Sequence, residues 1–235
     1  LNSNQNSYLY ITLVMAVDLF YHPRCTPCRA VMLTGRALDL ILQLEYVDID
    51  LQEQMKENFL KLNPQHTVPL INDEGFILSE SRAIMCYLAD KYCREDNRRL
   101  YPKDLQTRAM VDQRLNFDMC TLYERYTDYY FPVIYEKKRF DNEKKKRLDE
   151  AFKWLDMYLD RVNPWVAGDD MTLADLSIIC TVSTVEALGY DLIPYPFVTK
   201  WFNMAKDEIP GYYEFNQPGV DEMKEFAKKY IEYKR

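Results

Sequence analysis

Glycine and histidine are scarce in this chain. Its 235 residues hold six glycines, Gly35, Gly75, Gly168, Gly189, Gly211 and Gly219, where average usage of about 7% would give roughly sixteen. The closest two stand eight residues apart. A dinucleotide fingerprint or a phosphate-cradling P-loop needs at least two glycines within about six residues, so both are excluded. The only histidines are His22 and His66, which rules out a zinc-binding HExxH helix and leaves any Ser-His-Asp triad just two candidates. No apolar run approaches the roughly 18 residues of a membrane span. Positive charge is in the minority: Lys+Arg 30 against Asp+Glu 37 gives a net charge of -7, which argues against a nucleic-acid grip or a polybasic membrane contact.

The six cysteines, Cys25, Cys28, Cys86, Cys93, Cys120 and Cys180, read at this size as reduced thiols of a cytosolic protein rather than a disulfide framework. The stretch before Val17, LNSNQNSYLYITLV followed by Met15, lacks the basic n-region and longer apolar h-region of a signal peptide. Residues 1–15 are expected to be an extension outside the fold.

From Val17 onward, short apolar runs alternate with helical stretches. Val17 to Tyr21 is strand-like, Pro27 favours a helix start, and Val31, Thr34, Leu38 and Ile41 form one helical stripe. Leu44 to Asp48 reads as a second strand and Lys56 to Leu62 as a short helix ended by Asn63-Pro64. Val68 to Ile71 and Phe76 to Leu78 flank an Asp73-Glu74-Gly75 turn, and Ser81 is expected to cap a helix running to about Tyr92. The order βαβαββα over residues 16–94 predicts an α/β domain. Residues 95–103, polar and containing Pro102, read as a linker. Residues 104–235 carry no convincing strand and predict an all-α domain. Val111, Leu115, Met119, Leu122, Tyr126 and Tyr130 mark one long helix; Leu148, Phe152, Leu155 and Leu159 mark another. Thr172-Leu-Ala-Asp175 is a capping box before a third.

Three places could carry chemistry. Cys25-Thr26-Pro27-Cys28 falls where the first strand gives way to the first helix, and a thiol there meets the helix's positive end. A CxxC before a helix in a βαβ context is a thioredoxin-like signal. Cys28 begins the buried stripe and reads as structural, which leaves Cys25 as the functional thiol. Pro69 opens the third strand, where it cannot donate a ladder hydrogen bond and so sits at an edge or in a cis bond. Glu80-Ser81-Arg82 lies at the start of a helix, where free backbone N–H groups suit a carboxylate. Glu80 could take an ammonium and Arg82 a second carboxylate, and together with the thiol this describes a pocket for a zwitterionic thiol peptide. His66 stands beside the presumed thiol site, His22 reads as structural, and the run Lys144 to Arg147 as a solvated helix face. Some of the nineteen tyrosines, with a cluster at Tyr123, Tyr126, Tyr129 and Tyr130, could line a pocket for flat apolar molecules.

The segments FYHPRCTPCRAV, LNPQHTVPLI, ESRAIMCYLADKY, RLNFDMCTLYERYTDYYFP and MTLADLSI occur in the order found in cytosolic glutathione transferases, and the chain most resembles their arthropod Delta class over about residues 16–230. The resemblance implies a thioredoxin-like N-terminal domain, an all-α C-terminal domain bearing the hydrophobic substrate site, and a cytoplasmic homodimer. It implies glutathione as co-substrate, with no metal or other cofactor, and hydrophobic electrophiles as partners. By position, Val68 would pair its backbone with the cysteinyl part of glutathione ahead of a cis Pro69. Glu80, Ser81 and Arg82 would hold the glutamyl end, His66 the glycyl end, and Tyr123, Tyr126 and Tyr130 would wall the substrate site. One position departs. The class carries a serine after Pro-Gly, and here Pro23-Arg24 leads to Cys25. Gln54 likewise stands at a position that often supplies a histidine. S–H is a poorer donor than O–H, so thiolate stabilisation should weaken, with Thr26 as a neighbouring hydroxyl that could partly substitute.

The leading expectation is therefore a detoxifying enzyme that activates glutathione for conjugation to hydrophobic electrophiles, with Cys25 and Thr26 at its catalytic position. The alternatives are a glutathione-dependent thiol transferase using Cys25 as nucleophile, and a binding protein that sequesters apolar ligands with little turnover.

Overall fold

The computed structural model describes residues 16–160 and 164–231. The expected extension at 1–15 falls outside them. In the first part, β1 (Val17–Tyr21), α1 (Thr26–Ala37) and β2 (Leu42–Tyr46) form a βαβ unit; α2 (Glu57–Leu62), β3 (Leu70–Asp73), β4 (Phe76–Ser79) and α3 (Ser81–Tyr92) follow. The strand order is β2-β1-β3-β4, with β2 parallel to β1, and β3 antiparallel to both β1 and β4.

Strand alternation assigns the two faces of this sheet. Val17, Leu19 and Ile71 point into the main core beside Val31, Leu33, Ile84 and Leu88 of α1 and α3. Their neighbours Phe20 and Leu70 point the other way, onto Phe59 of α2, with the Phe20 and Phe59 rings edge to face at 6.0 Å. β2 begins at Leu42, two residues earlier than its pattern suggests, because pairing Val17 with Leu42 and Tyr21 with Tyr46 uses the full length of β1. The stretch read as a linker is largely folded: Glu95–Leu100 is a 3-10 turn whose Leu100 is buried.

The second part is helical: α4 (Leu105–Phe117), α5 (Glu124–Ile134), α6 (Asn142–Leu159), α7 (Leu173–Ala187), α8 (Pro196–Glu208) and α9 (Gln217–Ile231). The single long helix expected from Val111 to Tyr130 is interrupted by a π-turn at Asp118–Tyr123. The wider turn adds a residue to the pitch and rotates Asp118 inward, while Met119 is left 38% exposed. α7 is the hub, with every side chain from Leu173 to Val185 buried. Its start is fixed by Asp175, which accepts from Thr172 N at 2.9 Å and Thr172 Oγ1 at 3.1 Å on one oxygen, and from Val166 N at 3.0 Å and Trp201 Nε1 at 3.1 Å on the other. The capping box expected from sequence thus also ties in α8 and the segment before α7.

Helix α1 packs on one side against α3 and on the other against α7. Arg29 closes that seam with no exposed surface. Its guanidinium donates to Asn216 Oδ1 at 2.6 Å, Thr184 Oγ1 at 2.6 Å and Thr26 Oγ1 at 3.2 Å. Among the described residues no carboxylate pairs with it. A second seam joins α3 to the π-turn: Arg82 Nη2 meets Asp118 Oδ2 at 2.5 Å, and Asp118 also accepts from Ser177 and Thr181 of α7.

Asp175 satisfies four donors at zero exposure, so its removal orphans two backbone amides and the Trp201 indole. Asp175→Ala should lower the unfolding free energy by roughly 3 kcal/mol, read from urea denaturation. A loss under about 1 kcal/mol would show that the box is peripheral to stability.

Candidate active site

Cys25 is the N-cap of α1 and lies half-buried where β1 hands over to the helix. Cys25 N–H donates to the His22 carbonyl at 3.0 Å, and its sulfur lies 3.6 Å from the Val68 carbonyl oxygen. The Val68–Pro69 bond is cis. The thiol is thus placed against the backbone that opens β3, a pairing across 43 residues.

Two cysteines three residues apart have opposite character. The Cys25 thiol titrates below the ordinary thiol value, chiefly because the Cys28 side chain donates to its sulfur, helped by the Cys28 amide and the positive charges of Arg29 and Arg82. Burial opposes the shift and does not overcome it. Cys28 has no exposed surface, and burial followed by the hydrogen bond it gives Cys25 pushes its own thiol well up. Of the two thiols, Cys28 is the one that holds its proton, and Cys25 the one whose ionisation the surroundings favour. Burial likewise raises Cys180, to about 12, and Cys86.

Thr26, expected as a substitute hydroxyl, is turned away from this thiol. It is 3% exposed, accepts from Arg29 and contacts Thr184 Oγ1 at 3.4 Å. Because the Thr184 hydroxyl is already donated to the Cys180 carbonyl, the Thr26 proton points at Thr184. Its role is in the α1–α7 seam.

At the start of α3, the N-cap is Glu80 rather than Ser81: Glu80 is exposed with φ at 70°, and Ser81 is the first helical residue. The backbone N–H groups of the first turn have no intrahelical carbonyl to bond. Arg82, expected to take a carboxylate, is engaged by Asp118. Its other amino group donates to Ser81 Oγ at 2.9 Å. With its lone pair so occupied, Ser81 has its proton free to donate, which makes it a directed donor beside the helix terminus. His66 is exposed with φ at 49°, its amide bonded to Asn63 O at 2.9 Å. Gln54 is half-buried in a 3-10 turn, and its Oε1 is buried without a hydrogen-bond partner. His22, read as structural, is buried with Nδ1 accepting from Arg24 N at 3.2 Å.

The tyrosine cluster divides. Tyr123 is half-buried, with Arg82 5.6 Å over its ring, and burial and the nearby Cys25 push its phenol up. Tyr126 and Tyr130 are 1% and 3% exposed and belong to the core, one and two turns beyond buried Leu122 on the same helix face. Tyr130, with Tyr129, Phe140, Tyr190 and Tyr195, instead lines a separate cavity of about 450 Å³.

The wall near Cys25 contains residues that the sequence did not flag. Tyr135 stands half-exposed, its phenol raised by burial and its charge environment set by Arg24, Asp50 and Cys25. Its ring meets Phe131 at 5.1 Å and Phe226 of α9 at 5.8 Å. Arg24, in the position of the family's glycine, is almost wholly buried; it pairs with Asp50, reaches Glu222 at 3.4 Å and stacks 4.0 Å over Phe226. Gly219 in the first turn of α9 allows the close approach: a Cβ there would stand 2.1 Å from the Pro23 carbonyl oxygen. Nothing in the local pattern around Arg24 or Phe226 signals this meeting of loop and C-terminal helix.

With this geometry in place, comparison with known proteins is decisive. Residues 19–96 match the family described as glutathione S-transferase, N-terminal domain, and residues 111–206 match glutathione S-transferase, C-terminal domain. The chain belongs to the glutathione S-transferase family. It is 43% identical over 209 residues to glutathione S-transferase D7 of Anopheles gambiae, spanning 88% of this chain and 94% of that protein. A delta-class glutathione transferase of Nilaparvata lugens superposes with a TM-score of 0.88 at 45% identity, over 91% of this chain and 99% of its own. A glutathione transferase homologue of Drosophila mojavensis, solved with bound glutathione, gives 0.85 at 32% identity, over 92% and 97%.

The split between the two thiols makes a pH prediction. A depressed Cys25 thiol is ionised, and so alkylated by iodoacetamide, at a pH where an ordinary thiol near 8.5 is still protonated. Peptide mapping of the alkylation rate against pH should place the Cys25 midpoint below that value, and Cys28→Ala should move it upward. An unshifted midpoint in both proteins would refute the donor role of Cys28.

Proposed function

We propose that this glutathione transferase binds glutathione across Val68, Ser81 and the α3 terminus, and adds its thiol to apolar electrophiles. The transferase identity rests on the two family domains and the delta-class relatives. The assignment of residues is carried by one observation: the Cys25 sulfur lies 3.6 Å from the Val68 carbonyl, at the N-terminus of α1. A peptide bonded to the Val68 backbone would present its own sulfur to Cys25. Ser81, with its proton released by Arg82, and the free N–H groups of α3 suit the glutamyl carboxylate, and Glu80 suits its ammonium. His66 and Gln54 remain at the edge for the glycyl end.

In this reading Tyr123, Tyr135 and Phe226 form the apolar side on which an electrophile lies. Tyr126 and Tyr130 support that wall from behind without touching ligand. Thr26 and Arg82 act as positioning residues: the first holds the α1–α7 seam, the second orients Ser81. Phe76, Tyr87, Met110 and Met119, partly or largely exposed on β4, α3, α4 and the π-turn, support a homodimer through this side. The resemblance to cytosolic transferases carries the cytoplasmic setting proposed for it; among the described residues no helix is long and apolar enough to cross a membrane.

Cys25 sets the rate of conjugation. A hydroxyl at this position donates to the glutathione sulfur and favours its thiolate; a thiol donates poorly, and a Cys25 thiolate repels a second thiolate beside it. Cys25→Ser should therefore raise kcat/KM for conjugation of 1-chloro-2,4-dinitrobenzene by roughly tenfold, about 1.4 kcal/mol in the barrier. Loss of conjugation in that variant would mean that the cysteine itself, not a donor, drives the reaction.

A further inference from the structure

We propose that Arg24 is a positioning residue for the electrophile: its guanidinium holds helix α9, and with it the ring of Phe226, against the loop that ends in Cys25. The inference rests on the placement of Tyr135 and Phe226 along the electrophile side of the site.

Arg24 stands in the position of the family's glycine, and its side chain is only 4% exposed. A cation at that depth is costly unless it is paired. Three groups meet it. The Asp50 carboxylate accepts from Nη2. Glu222 Oε1 of α9 stands 3.4 Å from Nε, and the Phe226 ring centroid lies 4.0 Å from the guanidinium carbon. The two acids belong to different segments. Asp50 sits in the turn after β2, where Asp48 accepts from the Asp50 and Leu51 amides and Glu53 binds the Asp48 amide. That turn is a fixed anchor for the guanidinium, and α9 is the partner that the guanidinium holds.

The sequence of α9 suits this contact. Gly219, Glu222 and Phe226 recur at spacings of 3 and 4, one stripe of the helix. Gly219 seats the first turn on the loop, because a Cβ there would stand 2.1 Å from the Pro23 carbonyl oxygen and 2.6 Å from Arg29 Cδ. Glu222 and Phe226 then meet Arg24 from the next two turns. Met223, Ala227 and Ile231 are buried in the core and fix the rotation of the helix. Phe226 is thereby presented to Tyr135 at 5.8 Å.

Charge and ring act together. The carboxylates of Asp50 and Glu222 stay half-exposed, so only one ion of each pair is taken out of water. A planar guanidinium pairs at its edge while it stacks on its face, which an ammonium cannot do. A glycine at this position would leave the Phe226 ring with no partner on the loop side. Cys25 would stay in place, because its amide is bonded to the His22 carbonyl and its carbonyl to the Cys28 amide. Arg24 therefore acts on how the electrophile is held and not on the sulfur chemistry at Cys25.

The test is steady-state conjugation of 1-chloro-2,4-dinitrobenzene by the full chain at saturating glutathione, with the melting temperature of each variant. Arg24→Gly should raise the electrophile KM at least roughly fivefold, with kcat within about twofold of wild type. Arg24→Lys, which keeps the pair with Asp50, should recover part of the loss. Glu222→Gln, a milder change at a half-exposed site, should raise the same KM in wild type and add nothing in Arg24→Gly, because Glu222 acts through the guanidinium. Phe226→Ala should raise it as well. A fall in kcat at unchanged KM in Arg24→Gly would mark a merely structural role, since partial unfolding lowers the active fraction alone, and overturns the proposal. So do equal effects of Glu222→Gln in the two backgrounds. A raised KM in Phe226→Ala with none in Arg24→Gly overturns the role of Arg24 and leaves the aromatic wall standing. An unchanged KM in Phe226→Ala overturns the wall and the proposal with it.

Discussion

The burial of Arg29 between α1 and α7 is the constraint on which the active site depends. A guanidinium with no exposed surface and no carboxylate partner among the described residues is tolerated only because Asn216, Thr184 and Thr26 supply oxygen acceptors in fixed places. Those acceptors come from α1, α7 and the turn before α9, so satisfying one charge aligns three segments. The alignment has a chemical consequence. Helix α1 cannot slide along the sheet without orphaning the guanidinium, and Cys25 at its tip is held against Val68. The same charge, left without a carboxylate, favours an anion on the sulfur above it.

Cysteine at this tip changes what the scaffold offers a bound thiol. A serine hydroxyl there would be a good donor to a neighbouring sulfur. A cysteine is a poorer donor, and the more so the further its pKa is depressed. Two sulfur anions in contact repel, so the protein cannot hold charge on Cys25 and on the ligand thiol together. The Cys25 sulfur and the ligand thiol thus compete for the same electrostatic support, the α1 terminus and the Arg29 charge.

The fold was legible where local rules act alone. Alternation in Val17–Tyr21, the Asp73-Glu74-Gly75 turn between β3 and β4, and the Thr172–Asp175 box all reappear in the structure. So do the position of Pro69 in a cis bond and the burial of Cys28. The departures come from contacts between residues far apart in sequence. Arg82 looks like a free cation beside Ser81 until Asp118, 36 residues on, is rotated inward by the π-turn. Tyr126 and Tyr130 continue the buried stripe that begins at Leu122, as the apolar spacing had it, and it was the resemblance that set them on the pocket wall; the π-turn displaces only Met119 from that stripe. Thr26 was assigned to the thiol by proximity in sequence, while its side chain serves the Arg29 seam. Arg24 and Phe226 meet only because α9 returns across the loop at Gly219.

The central claim is that Cys25, held against Val68 by the Arg29 seam, faces the sulfur of a glutathione bound along Val68. A crystal structure of the reduced protein with bound glutathione tests it most directly. The account predicts main-chain hydrogen bonds between the ligand and Val68, with the ligand sulfur in contact with the Cys25 sulfur. Glutathione bound away from Val68, or with its sulfur turned away from Cys25, would contradict it.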